Sequence, residues 1–434
     1  MSMRAMVIGI ILVLMISVLG LGIYLNVQPP RNPVIVTNEI ILPKGSGDYM
    51  EVRHIVLRGT NAEIGKALGD IGQNNFGAVL SRYNSPVNGS ARNEYIRTHY
   101  PTLWERMQGV AASYGLRSGD NTFDTSGLGY GIEPAGCSII FFPGNSTTNG
   151  HAIYSRNMDY FTATSSEIFG TGPYLSGEKM CSKNYVLELY PDRGYPSIVI
   201  GSFDLLNGPL DGMNEKGVTV SMLVDNDAAP ITVADISQVS GLSSMQLMRA
   251  VLDTASDVDD AKSIILNNNV SMLAVPLHVL VADRSGRSFV AELSASDLKW
   301  HFTDNAGKPQ ILTNHALYKY PNTSAFPPVP ATDEYDSFNR YRRLDAYVAN
   351  HVGKFSPADA SSSMALVYAN TALAMEGGSP PLPMRTVWSS LFDLEDRRVT
   401  VQFYEKDSVR NATTNPSGLV FSQPFTFRLN RGGG

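Results

Sequence analysis

Cysteine is nearly absent from this chain of 434 residues, which has only Cys137 and Cys181. Two thiols cannot build a disulfide scaffold or a multi-thiolate zinc site, so they either form one bridge or do separate work. A basic excess is lacking too. Lys plus Arg number 34 against 40 Asp plus Glu, for a formal net charge of -6, so nothing draws the chain to a phosphate backbone and nucleic acid is excluded as a partner. Rossmann and Walker glycine patterns are missing, as are G-x-S-x-G, H-E-x-x-H and internal repeats. None of the seven histidines has a short ligand spacing to another, so neither a metal nor a cofactor is expected. With 43% hydrophobic and 17% charged residues, the chain has material for one large or two medium globular domains.

One long apolar run is present. Ala5 to Leu25 is uncharged, with Ser17 its only clearly polar side chain, and about 20 apolar residues suffice for a helix to cross a bilayer. The run sits at the extreme N-terminus, has no polar face and is followed by Pro29-Pro30, which disfavours a buried core helix. It exceeds the usual h-region of about 7 to 15 residues and no A-x-A site follows, so residues 1–27 read as a retained signal anchor ahead of a cleaved signal peptide. Arg4 on the short side places everything after Val27 outside the cytoplasm. The expectation is a membrane-anchored, extracytoplasmic protein, secreted if the helix is removed. Sequons at Asn88, Asn145, Asn269, Asn322 and Asn411 are compatible with that. Residues 28–48 carry Pro and Gly and read as a stalk.

From Tyr49 to Leu57 the pattern is strand-like. Thr60 then precedes a helical pattern, with Glu63 at capping-box spacing. Residues 117–136 are rich in Gly, Ser, Asp and Asn and read as an exposed connection. Beyond it, short β-branched and aromatic runs dominate, among them CSIIFF, HAIYSRNMDYF, NYVLELY, KGVTVSMLV and RRVTVQFYE. Helical patterns intervene at 244–266 and 337–351. Strands in bulk with helices gathered between them predict an α+β layered fold.

The most informative feature is Gly136-Cys137-Ser138, followed by Arg156-Asn157-Met158-Asp159. A thiol is nucleophilic, but with a free pKa of about 8.5 it needs a nearby base or cation at neutral pH. Were the peptide bond before Cys137 cut, the new α-amino group, with a reference pKa of about 7.7 to 8.0, could serve as that base. Asp159 could orient the amine while Arg156 holds the thiolate or a substrate oxygen. The alternative is a non-catalytic extracytoplasmic binding protein with a Cys137–Cys181 disulfide, and cysteine arithmetic alone favours it.

The segment from Gly136 to Tyr160 resembles the start of the mature chain in the linear amide C-N hydrolases of the N-terminal nucleophile superfamily. That group includes choloylglycine hydrolases, penicillin V acylases and acyl-coenzyme A:6-aminopenicillanic acid acyltransferases. Asp211-Gly212-Met213-Asn214-Glu215-Lys216-Gly217 is similar to the family's turn between two strands, Ile311-Leu312-Thr313-Asn314-His315 to its LTN segment, and Ser337-Phe338-Asn339-Arg340-Tyr341-Arg342-Arg343 to its S-x-x-R-x-x-R helix. Upstream, Leu57-Arg58-Gly59-Thr60-Asn61-Ala62-Glu63-Ile64-Gly65 resembles the leading segment of the aminopenicillanic acyltransferase branch.

The resemblance implies a four-layer αββα sandwich and a precursor that cuts itself between Gly136 and Cys137. An N-terminal α-chain segment, 49–136, would then stay associated with a catalytic β-chain, 137–434. It implies Cys137 as nucleophile and base, Asp159 as partner of its amine, Arg156 and Arg340 as positive groups near the thiolate, and Asn314 as an oxyanion donor. Where choloylglycine hydrolases place an oxyanion asparagine, this chain has Val224-Asp225-Asn226, so Asn226 or a backbone N–H is the expected substitute. His315 is a further candidate for the pocket, and equally a satisfied structural histidine. The expected activity is cleavage of a small-molecule amide through a thioester on Cys137, with acyl transfer as a second outcome.

Overall fold

The β-branched and aromatic runs pair into two large sheets in the computed structural model, which describes residues 34–429 apart from 132–135, 170–177, 209, 229–239, 271–275, 295, 297–298 and 374–379. In chain order the strands are β1 Ile35–Leu42, β2 Glu51–Gly59, β3 Ser81–Arg82, β4 Phe123–Asp124, β5 Gly136–Phe142, β6 Ile153–Phe161, β7 Lys183–Pro191, β8 Ser197–Gly201, β9 Asp211–Asn214 and β10 Thr219–Val224. They continue with β11 Leu277–Ala282, β12 Ser288–Leu293, β13 Trp300–Asp304, β14 Gln310–Leu312, β15 Asn370–Leu373, β16 Leu382–Asp393, β17 Arg398–Asp407, β18 Leu419–Phe421 and β19 Phe425–Arg428. Sheet one has the order β1-β2-β7-β8-β9-β10-β11-β12-β13. Sheet two has the order β14-β5-β6-β16-β17-β18, with β15 on β16 and β19 on β17.

Every position of β5, β8, β9, β11 and β12 is buried, as expected of strands covered on both faces. Period-two alternation divides β5 cleanly. Ile140 and Phe142 join Ile153, Leu344, Phe355 and Met364 in a core against helices Ser337–Asn350 and Pro357–Ala365. Cys137, Ile139 and Phe141 therefore point the other way, toward sheet one. Contacts between the sheets confirm the sense: Tyr154 Oη donates to the Leu280 carbonyl at 3.2 Å and Trp388 Nε1 to Asp211 at 2.7 Å.

The helix Asn61–Ile71 begins as its sequence predicts, with Thr60 and Glu63 forming the reciprocal capping box. It crosses helix Pro101–Ser113 at close quarters. A Cβ at Gly65 would lie 2.0 Å from the Arg106 carbonyl, and one at Gly109 2.0 Å from that of Ala62, so only glycine permits the approach.

Three expectations change. The stretch 28–48 is not a stalk throughout, because Ile35–Leu42 is rich in β-branched and aliphatic residues and pairs antiparallel with β2. The connection 117–136 is turn-rich but not exposed throughout: Ser126 and Leu128 are buried, and the Ser126 carbonyl accepts Gln246 Nε2 at 3.0 Å. The pattern at 244–266 is two helices, Ser244–Thr254 and Val258–Asn267, because Asp257 caps the second. Among the described residues no helix is long and apolar enough to cross a membrane. The run Ala5–Leu25 lies outside them.

Candidate active site

Cys137, the second residue of β5, is fully buried with its thiol between the sheets. Antiparallel pairing sets Gly136 opposite Asp159, Cys137 opposite Met158 and Ile139 opposite Arg156. Alternation then brings Arg156 and Met158 to the inner face beside Cys137 and leaves Asp159 on the outer one. Arg156 Nη2 lies 2.9 Å from Cys137 Sγ and 3.1 Å from the Met222 carbonyl, and Met158 Sδ is 3.7 Å from the thiol.

The guanidinium is fixed from sheet one. Asp211 pairs with Arg156 Nη1 at 2.7 Å, itself held by Ser221 Oγ at 2.7 Å and Trp388 Nε1. Burial works against the charge on Arg156, but Asp211 and the Cys137 sulfur outweigh it and raise its pKa. Burial also pushes the Cys137 thiol up to about 11, against the pull of Arg156. The sulfur is therefore protonated at neutral pH, and making it a nucleophile would need a base.

The backbone of Cys137 is held separately. Its N–H donates to Asn314 Oδ1 at 3.1 Å, and Arg340 donates to its carbonyl, to Ser138 Oγ at 2.8 Å and to Asn314 Oδ1 at 2.6 Å. Arg340 thus sits at the Cys137 carbonyl, while Arg156 alone of the two meets the sulfur. Arg340 is near Cys137 through the cysteine backbone, reaching in from the helix on the outer side of β5. Asn314 is pinned on every side. Its N–H donates to Ser337 Oγ at 2.7 Å, its Nδ2 to the Val224 carbonyl at 2.8 Å, and its carbonyl accepts Asn226 N–H at 2.8 Å. The Val224 carbonyl takes one of the two Nδ2 hydrogens.

Asp159 is fully buried, and burial raises its carboxyl pKa, opposed by Arg340 and by a hydrogen bond from Thr386. Its oxygens accept Thr386 Oγ1 at 2.5 Å and Tyr335 Oη at 3.3 Å. The Cys137 N–H goes to Asn314, and Asp159 lies opposite Gly136 across the hairpin. A Cβ at Gly136 would lie 2.0 Å from Tyr335 Oη, so a larger residue cannot occupy that position without displacing the tyrosine.

Two candidates fall away from the reacting atoms. The Asn226 side chain is exposed, and the residue meets the site through its backbone N–H only. His315 alternates away from Asn314 into a cluster of rings, stacked on Phe338 at 4.2 Å, with Nδ1 near Ser337 Oγ at 2.9 Å. Burial and the nearby His278, Arg340 and Arg342 push its pKa down to about 3, so it is a neutral structural imidazole. Asp211, Ser337, Tyr335 and Thr386 were not singled out as site residues. The first two lie in the DGMNEKG and S-x-x-R segments, while nothing local in sequence marks the others. The disulfide alternative is not formed, since both cysteines are free and buried.

Two groups of possible metal ligands occur among the described residues. In the first, Glu292 already accepts Leu317 N–H at 2.8 Å, Tyr318 N–H at 2.9 Å and His278 Nδ1 at 3.1 Å, with Asp225 nearby. It acts as a clamp on the turn after Asn314. In the second, Asp393 is shared between His151 at 2.9 Å and Arg398 at 3.3 Å, with Glu395 holding Ala152 N–H.

Two facing sheets with a buried thiol, a guanidinium at its sulfur and an amide at its nitrogen define a hydrolase of linear amides. The chain belongs to the linear amide C-N hydrolases, choloylglycine hydrolase family: the family model matches residues 137–373. Among solved structures, it is similar to a conjugated bile acid hydrolase from Clostridium perfringens, at 17% identity over 68% of this chain and 97% of that one, with a TM-score of 0.44. A penicillin V acylase from Agrobacterium tumefaciens is similar at 17% identity over 62% and 82%, with a TM-score of 0.41. Comparison with curated proteins gave no match.

Proposed function

We propose that this amide hydrolase is a self-processing cysteine enzyme, cut between Gly136 and Cys137, that works through a thioester on Cys137. The observation that carries the reading is the separate handling of the two Cys137 functions, with Arg156 2.9 Å from the sulfur and Asn314 3.1 Å from the nitrogen.

After the cut, the α-amine takes the thiol proton as sulfur attacks the amide carbonyl carbon, and a C–S bond forms. The remaining Nδ2 hydrogen of Asn314 meets the resulting oxyanion, an interaction worth about 3 kcal/mol per donor in studied cases. The ammonium returns its proton to the leaving nitrogen as the C–N bond breaks. Water, deprotonated by the same amine, then attacks the thioester carbonyl, the C–S bond breaks to release the acid, and the ammonium returns its proton to the leaving sulfur; an amine in place of water gives acyl transfer. Arg340 fixes the Cys137 carbonyl, and Asp159 awaits the freed amine where Gly136 lay. On this reading the two facing sheets and their helices form a four-layer αββα sandwich, the N-terminal run anchors the enzyme at the extracytoplasmic membrane face, and the cut α-chain is its partner.

The test is intact mass under denaturing conditions with N-terminal sequencing. Two polypeptides are expected, one beginning at Cys137, and a Cys137→Ala variant that stays whole and inert. An active enzyme with the 136–137 bond unbroken, or a fully active alanine variant, overturns the reading.

A further inference from the structure

One arginine of the S-x-x-R-x-x-R segment takes no part at Cys137. Arg340 turns toward the cysteine, whereas Arg343, one turn further along helix Ser337–Asn350, lines a cavity of about 850 Å³ on the outer side of sheet two. Proteins hold small organic molecules in spaces of roughly 300–1,000 Å³. The Cys137 sulfur lies on the other face of β5, so the sheet stands between this cavity and the nucleophile.

The walls come from separate stretches of chain. Tyr335 precedes the helix, Tyr368 follows helix Pro357–Ala365, Arg410 follows β17 and Phe421 ends β18. Backbone carbonyls hold both guanidiniums in place: Arg343 donates to those of Leu366, at 3.2 Å, and Glu334, and Arg410 to that of Asn370 at 2.7 Å. Asp333 and Glu334 line the same cavity, yet among the described residues neither arginine pairs with a carboxylate. Burial lowers the Arg343 pKa, and Arg340 adds to the fall against the pull of Glu334, so this half-buried cation lacks a full counter-charge. The rest of the lining is largely apolar. The Tyr368 and Phe421 rings pack 5.0 Å apart, and Leu419 and Leu366, the latter 46% exposed, offer aliphatic surface.

We propose that this cavity is a second binding site of the enzyme, taking an organic monocarboxylate whose charge meets Arg343 and Arg410 and whose apolar body meets the rings and leucines. A guanidinium held in place is suited to a carboxylate, which it can meet with two parallel N–H donors. Asp333 and Glu334 disfavour a second negative charge on the ligand, and the apolar lining gains from a body that an inorganic anion lacks. An occupant lies one side chain away from Asp159, because Tyr335, part of the wall, donates to that carboxylate at 3.3 Å. The inference does not depend on the Cys137 reading.

Isothermal titration calorimetry of the full chain with hexanoate, 1-hexanol and inorganic phosphate tests it. One saturable site is expected for hexanoate, with 1-hexanol weaker by at least about tenfold, the factor a charge-assisted hydrogen bond supplies, and no saturable binding of phosphate. Arg410→Gln, at an exposed position, is expected to weaken hexanoate by at least about tenfold with the melting temperature unchanged. Arg343→Gln is expected to do the same, and Arg410→Gln decides alone should that variant fail to fold. Absence of a hexanoate site, 1-hexanol binding as tightly as hexanoate, phosphate competing for the site, or a hexanoate affinity untouched by Arg410→Gln overturns the proposal.

Discussion

At the scale of single residues, the site depends on glycine at position 136 as much as on the thiol that follows. Tyr335 occupies the space a side chain there would need, so Gly136→Ala is expected to slow the appearance of the two polypeptides by at least about tenfold, since a contact of that kind forces a shift in packed surroundings. Adding Tyr335→Phe removes the clashing oxygen and is expected to recover part of the rate, which a gel time course reads directly. Asn314 is expected to be sensitive at a distance. Glu292→Gln replaces one acceptor of the turn N–H groups by a donor, an exchange that costs roughly 1–3 kcal/mol for each buried group left unpaired. Lower kcat with little change in KM would place its effect on Asn314, whereas a loss of melting temperature alone would refute that link. Cys137, Arg156 and Asp159 were legible in sequence because they share one hairpin. Tyr335 and Thr386 were not, because nothing local marks them and chain crossings bring them in, while Asp211 stood in a quoted segment without a role.

At the scale of elements, the helices ahead of Cys137 are locked to those after it by a buried network. Arg106 Nη1 meets Asp253 at 2.7 Å, Arg249 Nη2 meets the same carboxylate at 2.6 Å, and Asn61 accepts Arg106 Nε at 3.0 Å. Burial would raise the Asp253 pKa, but the two guanidiniums overcome it and hold the carboxyl below its usual range. A folded-state value below the unfolded one of about 3.9 gives stability that is present above that pH and is lost as pH falls through the folded value. Asp253→Asn is therefore expected to cost about 3–5 kcal/mol at pH 7, as for removing one partner of a buried pair. In urea titrations the difference from the parent shrinks toward pH 2. Equal differences at both pH values would show that the ion pair is not the source. Short β-branched and aromatic runs located β5, β6, β7, β10 and β17 closely, because such runs are read locally, whereas β9 lies in a segment that reads as a turn. β1 escaped notice because prolines and glycines on either side suggested a linker, and its partner strand lies beyond a turn.

At the scale of the whole molecule, the nine-stranded sheet is made from both sides of Cys137. β2 pairs in parallel with β7 from Glu51–Lys183 to Gly59–Pro191 and antiparallel with β1. A single species of full mass is expected in native mass spectrometry of the cut enzyme, separating into two only on denaturation; spontaneous separation at neutral pH would contradict the shared sheet. The family could be read from the order of motifs across 137–373, whereas the architecture of the upstream part required the pairing itself. That pairing carries an obligation for anyone producing the enzyme in pieces. A polypeptide begun at Cys137 would expose the unprotected backbone flank of Lys183–Pro191, a ready template for strangers, so the segment ahead of Cys137 serves as the guardian that keeps the rest of the chain in solution.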